Sequence, residues 1–425
     1  MEKLYGIISQ VKQKHSTVYL SIFLKLDITI VDTGNARAYT DCRTINKLQQ
    51  PIQKEKTMYS DVYYRLRDQL DQYSVGFPTT PSGVEMKILE KLFTEEEAEM
   101  YLNLSMMLET PQAVAERTNQ DQDHVAALLE GMAEKGLIFR LKKGESAQYG
   151  AVPFVIGFYE FQLKTMDQEF AQLVDQYFEE AFLHQTTMQT VPLRTIPVGR
   201  AISVSWPIAP YEDLRGLIKN KDLIAVANCI CRMQKGLLNQ ACDKPLEVCL
   251  LFGSHGKYYV DREMARWINQ DEAIKILDRC EEAGLVPQPT NAQNPGGWCN
   301  CCGDCCAMLR ALKRHPRPSE MVVSNYYAVV DPDLCAACET CLERCQMDAI
   351  TIGADEVAEV NRDRCIGCGL CVTTCTTEAL SLQPKPEQQR REPPATPRDT
   401  MLQMVQERGK TMIPISFTKG HESGA

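Results

Sequence analysis

The strongest constraint on this chain is a cysteine run that occurs twice between residues 331 and 382. The first copy reads DPDLCAACETCLERCQMDAITI and the second NRDRCIGCGLCVTTCTTEALSL. Cys335, Cys338, Cys341 and Cys345 return 30 positions on as Cys365, Cys368, Cys371 and Cys375, each copy spaced C-x2-C-x2-C-x3-C. Three thiols this close in sequence share one tight loop and can occupy three corners of a single polynuclear centre. Zinc would use two C-x-x-C pairs rather than three-plus-one runs. Structural disulfides are the other competing reading. The spacing favours iron–sulfur binding over both.

The stretch resembles the bacterial 2[4Fe–4S] ferredoxin domain. The resemblance implies a small pseudo-twofold βαβ-type module that passes single electrons between adjacent clusters. It also implies the ligand sets, because the fourth Cys of each run ligates the other cluster. Cys335, Cys338, Cys341 and Cys375 then hold one [4Fe–4S] cluster, and Cys365, Cys368, Cys371 and Cys345 hold its twin. Where the family has Pro after the fourth Cys, this chain has Gln346 and Thr376. That proline ligates nothing, so its absence bears on local packing and potential.

The chain has 425 residues, enough for two to four domains. Nineteen cysteines, crowded as CxC, CC and CxxC, suit metal in a reducing cytosol better than a disulfide framework. A net charge of −10 argues against a broad nucleic-acid or anionic-membrane surface and favours partners with basic docking patches. The longest apolar run, residues 17–24, is too short to span a bilayer. The expected location is cytoplasmic, with no membrane span.

Residues 1–57 read as an N-terminal arm with one strand-like stretch at 17–31. An amphipathic unit begins afresh at Met58, so that residue is an alternative natural start. Residues 58–150 carry two S/T-x-x-E capping boxes, Ser82–Glu85 and Thr94–Glu97. A helix, a turn, a second helix and a hairpin follow, in the order of a winged helix. The second helix carries Asp121, Asp123, Glu130 and Glu134 against Lys135, which would repel phosphates. A structural or protein-docking winged helix is expected, with no nucleic-acid partner. A long helix over 163–189 comes next, then a buried strand near 223–227.

The middle domain, residues 151–324, holds a second constellation. NCICR…C…PLEVC supplies Cys229, Cys231, Cys242 and Cys249, which reads as one site. GGWCNCCGDCCAML supplies Cys299, Cys301, Cys302, Cys305 and Cys306, with a helix expected from about Asp304. On such a helix Cys302 and Cys306 share a face. Nine thiols are enough for one or two additional Fe–S clusters, with zinc or a redox-active dithiol as alternatives. Cys280, inside a helical pattern, reads as a buried small hydrophobe. His255 reads as a loop histidine. No Walker A loop, Rossmann fingerprint or haem motif appears.

The expected fold class is α+β: an arm (1–57), a winged-helix-like helical domain (58–150), a cysteine-rich middle (151–324), a ferredoxin-like domain (325–383) and a Pro-rich linker and tail (384–425). The whole looks like the multidomain 4Fe–4S dicluster proteins of anaerobes. The expected function is an electron-transfer protein or accessory subunit of an oxidoreductase, serving a redox partner protein, rather than a stand-alone enzyme. No residue is expected to be catalytic. Two other classes remain: an Fe–S redox sensor that uses its winged helix on DNA, and an oxidoreductase with a substrate site among the middle cysteines.

Overall fold

The structure is a computed structural model that describes residues 59–418 other than 145, 185–189 and 202–207. The strand expected at 17–31 and the question of Met58 lie outside the described residues. The described residues pack as one compact unit.

The first part is helical because its apolar residues recur at helical spacing. α1 (Asp61–Leu70) buries Val62, Tyr63, Leu66 and Leu70. α2 (Val84–Leu92) and α3 (Glu95–Leu102) follow. The Thr94–Glu97 capping box is present at α3. The one expected at Ser82 is absent: Gly83 takes the N-cap position, and Glu85 instead accepts from the backbone N–H and hydroxyl of Thr80. α4 (Pro111–Thr118) and α5 (Gln122–Glu134) lead into a hairpin of β1 (Phe139–Lys143) and β2 (Ser146–Gly150). Glu130 and Glu134 of α5 lie against that hairpin. Arg140 pairs with both, Lys142 pairs with Glu130 at 3.1 Å, and the Tyr149 hydroxyl donates to Glu130 at 2.6 Å.

The long helix expected over 163–189, of which 185–189 lie outside the described residues, is shorter where it is described. Only α6 (Gln168–Glu180) is regular, with turns at Phe154–Phe158 and Glu160–Gln162 ahead of it. Asp167 decides the start, since its carboxylate accepts from the Phe170 N–H and so begins a helix there. The anticipated face of Phe170, Val174, Tyr177 and Phe178 is buried. Phe154 packs within 5.4 Å of both Phe77 and Tyr177, ring to ring.

The middle is built on an antiparallel sheet. α7 (Leu214–Lys219), β3 (Ile224–Asn228), α8 (Ile230–Leu237), β4 (Glu247–Phe252), α9 (Gly253–Asp261), β5 (Ala265–Ile268), α10 (Gln270–Glu282), β6 (Val286–Pro289) and β7 (Gly297–Cys301) follow in the chain. The strands are ordered β5-β3-β4-β7-β6. Alternation along each strand divides the side chains between two faces. Val226, Val248, Leu250 and Trp298 pack with Ala273, Ile276, Leu277 and Cys280 of α10. The residues between them on β4 and β7, including Cys249, Leu251, Cys299 and Cys301, have the other face. α11 (Ala307–Arg314) and α12 (Pro318–Met321) complete this part.

In the C-terminal part, β8 (Tyr326–Val330) pairs antiparallel with β11 (Leu380–Pro384). The short α13 (Thr340–Arg344) precedes a second antiparallel pair, β9 (Ile350–Ile352) with β10 (Ala358–Val360). The Pro-rich stretch read as a linker is tied down. The Gln293 N–H donates to the Pro394 carbonyl at 2.8 Å, and Asn325 exchanges two hydrogen bonds with the Arg391 backbone. α14 (Pro397–Glu407) then packs back on the middle part. The Thr400 hydroxyl donates to the Asn291 carbonyl, and Arg408 just beyond the helix pairs with Asp71 at 2.9 Å.

Candidate metal centres

The duplication at 331–382 is repeated in the backbone. Ala337, Glu339 and Asp348 sit at positive φ (50°, 60° and 50°). Their counterparts 30 positions on, Gly367, Gly369 and Glu378, do the same (67°, 77° and 57°). The two loops differ in what surrounds them. A Cβ on Gly367 would lie 2.2 Å from the Tyr326 carbonyl oxygen, and one on Gly369 would lie 2.5 Å from the Ala201 Cβ. The second loop is therefore pressed into protein and needs glycine there, while the first lies nearer solvent and tolerates side chains.

Cys335, Cys338, Cys341 and Cys375 line one small cavity, walled by Val330, Ile352 and Leu380. Cys345, Cys365, Cys368 and Cys371 form a second, deeper neighbourhood in which Cys345, Cys368 and Cys371 each feel the charge of other thiols of the set. Burial, reinforced by Cys345 and Cys365, pushes Cys368 up to about 12. Backbone donors reach the sulfurs in both copies. The Ala358 N–H donates to Cys335 Sγ and the Ala328 N–H to Cys365 Sγ, each at 3.4 Å, and the Ala349 N–H donates to Cys345 Sγ at 3.3 Å. Such donors stabilise thiolate charge. Cys338 is exposed, whereas Cys365 and Cys371 are buried. One set therefore lies near solvent and the other inside the molecule.

The inner set abuts the middle part. The Val198 N–H donates to the Cys368 carbonyl at 2.9 Å. Arg344 donates to the carbonyls of Glu281 and Glu282, placing its cation at the C-terminal end of α10. Cys301 and Cys306 belong to the same apolar cluster as Cys365 and Cys371, with Cys345 packed against it.

The nine middle thiols separate into two groups. Side-chain interactions link Cys229, Cys231, Cys306, Cys301, Cys299 and Cys249 from one thiol to the next, and all six line one cavity. Cys229 is the N-cap of α8 and Cys231 lies in its first turn. Continuing the register of β4 with β7, in which Leu250 faces Trp298, sets Cys249 beside Cys299. The helix expected from Asp304 starts later, at Ala307, with Cys306 as its N-cap. Cys302 and Cys306 consequently share no helix face and fall in different groups. Cys306 is held at about 5 by its neighbours Cys231 and Cys301, and Cys299 is held low by Cys249 and Cys301. Cys249 and Cys301 are driven up, chiefly by their neighbour Cys299. Six sulfurs sharing one enclosed space of about 70 Å³ repel as they ionise unless cations neutralise them, so the donor set fits a polynuclear metal–sulfur centre.

The second group is Cys242, Cys302 and Cys305, with Cys242 Sγ 3.6 Å from each of the other two sulfurs. Arg232 is buried beside both groups. Burial works against its charge, but Cys229, Cys302, Cys301 and Cys242 outweigh that and raise its pKa. Its guanidinium donates to the carbonyls of Pro245 (3.0 Å) and Asn300 (2.8 Å). Cys280 stays apart on α10 as a buried small hydrophobe. His255 lies in α9, its ring 5.5 Å from that of Phe139, and burial lowers its pKa.

A second cavity of about 180 Å³ adjoins the six thiols and shares Cys249, Cys299, Tyr259 and Glu160 with theirs. Phe161, Leu251 and, from α14, Met401 and Met404 also line it. Burial pushes the Glu160 carboxyl up to about 8, even though the Gly157 N–H donates to it at 2.8 Å. Glu160 has no signal in the sequence, and the short amphipathic helix legible near residues 399–408 gives no sign that α14 would wall this cavity. Arg232 does have a signal, as the charged neighbour of Cys231 in NCICR.

The duplicated thiol loops, their backbone donors and the apolar walls are those of a ferredoxin-type iron–sulfur domain. A family model for a 4Fe-4S dicluster domain matches residues 328–382. No curated protein matches the chain. Among the described residues no helix is long and apolar enough to cross a membrane.

Proposed function

We propose that this protein is an electron-transfer protein, or the electron-transfer subunit of an oxidoreductase, with its six-thiol site as the inner terminus. Cys335, Cys338, Cys341 and Cys375 would hold an outer [4Fe–4S] cluster, and Cys345, Cys365, Cys368 and Cys371 an inner one. When bound, such clusters supply one-electron transfer at potentials tuned by burial and N–H···S bonds. Ala358, Ala328 and Ala349 provide those bonds. The exposed Cys338 marks the side on which a redox partner protein docks. The observation that carries the reading is the junction: Cys301 and Cys306 of the six-thiol group pack in one apolar cluster with Cys365 and Cys371. Residues 58–150 act in this reading as a winged-helix-like docking element in a cytoplasmic protein of the multidomain anaerobe type. Arg140 and Lys142 are paired with carboxylates of α5, which speaks against the DNA-binding regulator.

The test is a full-length Cys229→Ser/Cys231→Ser variant, purified anaerobically. Its iron should fall to about eight atoms per chain, the content of two cubanes, with the ferredoxin EPR signals retained. Unchanged iron would reject the middle centre.

The cavity of about 180 Å³ that meets Cys249 and Cys299 favours one second reading, an oxidoreductase whose substrate binds there. Filling it with Met401→Trp should abolish turnover in that case and leave electron transfer intact in the other.

A further inference from the structure

Cys242, Cys302 and Cys305 have no role in that reading, and their geometry is of another kind. Thiolates bound to one tetrahedral ion by bonds of ~2.3 Å stand about 3.8 Å apart. Cys242 Sγ is 3.6 Å from both partners, and all three sulfurs lie within 4.8 Å of one another. Among the described residues this is the one such group of Cys, His, Asp or Glu donors. No three ferredoxin thiols meet the same limit, as befits ligands of different irons in a larger cluster. The trio has the dimensions of a single ion.

Its surroundings fit a soft divalent cation. Cys302 and Cys305 are 1% and 2% exposed, on either side of the Gly303–Asp304 turn, while Cys242 comes from the half-buried segment between α8 and β4. Three thiolates select zinc or a comparably soft ion over a hard one. Zinc with three thiolates carries one net negative charge, and the buried Arg232 guanidinium supplies the opposite one. Structural zinc sites close with four protein ligands, whereas three leave a position for an exchangeable one. No fourth donor of these types joins the group among the described residues.

We propose that Cys242, Cys302 and Cys305 bind one zinc ion whose fourth position is filled from outside the chain and accepts a thiol. The site is distinct from the six-thiol centre and does not depend on it.

The experiment uses full-length protein, purified anaerobically and supplied with zinc. Metal analysis should find one zinc per chain in addition to the iron. Zinc-edge X-ray absorption should find three sulfurs and one oxygen or nitrogen, becoming four sulfurs when 2-mercaptoethanol is added. Cys302→Ser and the half-buried Cys242→Ser should each lose at least tenfold in zinc affinity with iron content unchanged. Cys280→Ser, a control in the same apolar cluster, should keep its zinc. Protein that takes up no zinc, four sulfurs before any thiol is added, or equal zinc loss in Cys280→Ser would each overturn the proposal. Iron content is read separately, so failure of the six-thiol reading remains distinguishable.

Discussion

Gln346 accepts a hydrogen bond from the Gly303 backbone N–H at 2.8 Å, joining the residue after Cys345 to the residue after Cys302. The approach is close. A Cβ on Gly303 would stand 2.7 Å from the Gln346 carbonyl oxygen. The glutamine that replaces the ferredoxin family's usual proline is therefore a contact between the two cysteine constellations. A proline side chain could not accept this bond.

Gly303→Ala should force the two parts to separate locally. Because the obstructing atom is backbone, relief requires a chain shift, and overpacking of this kind costs about 1–3 kcal/mol. Thermal melting of the anaerobic protein would read the loss. A melting temperature equal to the parent's would show that the junction is soft.

The first ferredoxin loop holds Ala337 and Glu339 at φ values that favour glycine. Ala337→Gly should stabilise the protein by up to about 1 kcal/mol, since a Cβ in this region is penalised. Gly367→Ala in the second loop should destabilise it far more, through the Tyr326 carbonyl. Denaturant midpoints of the two variants should move in opposite directions. Parallel shifts would contradict the account of why the copies differ.

Cys335→Ala and Cys365→Ala should each damage one cluster, because each removes one of three ligands contributed by a loop. Reduced-state EPR of either variant should lose the coupling between clusters. Retention of the full coupled spectrum and iron content would show that the ligand sets are assigned wrongly.

Arg232→Met should cost about 3–5 kcal/mol, the range for leaving buried charge without its partner. Cys229, Cys302, Cys301 and Cys242 are the groups that lose its charge. Metal content of both middle groups should fall together. If only stability changed, Arg232 would be a packing residue.

Glu160 should make stability depend on pH. Its folded pKa, about 8, lies above the ordinary 4.5, so between these values the folded protein holds a proton that the unfolded chain has released. The contribution is complete below pH 4.5 and is lost as pH rises toward 8, by up to ~1.4 kcal/mol per unit. Glu160→Gln cannot ionise and should flatten that slope in denaturant titrations. An equal slope in the variant would place the titration elsewhere.

Because Thr400 and Arg408 bond to Asn291 and Asp71, removing the chain from residue 325 onward would strip support from the middle part. Full-length cysteine variants avoid this.

How much was legible in the sequence follows from the range of the forces involved. Local rules reached the cysteine loops, because C-x2-C-x2-C fixes three thiols on a few residues of backbone, and the repeat of 30 positions carries its conformation with it. They also reached the Thr94 cap, the buried face of α6 and the packing role of Cys280. They failed at α6's start, where the Asp167 carboxylate begins a new helix within a continuous apolar pattern. They failed again at Cys302 and Cys306, which a helix from Asp304 would have aligned. Only tertiary structure decided the rest. Sheet register set Cys249 beside Cys299, and chain segments far apart in sequence sorted nine thiols into six and three. Which thiol meets which depends on strand pairing and on Arg232 lying between the groups, and neither is encoded in the spacing of cysteines along the chain.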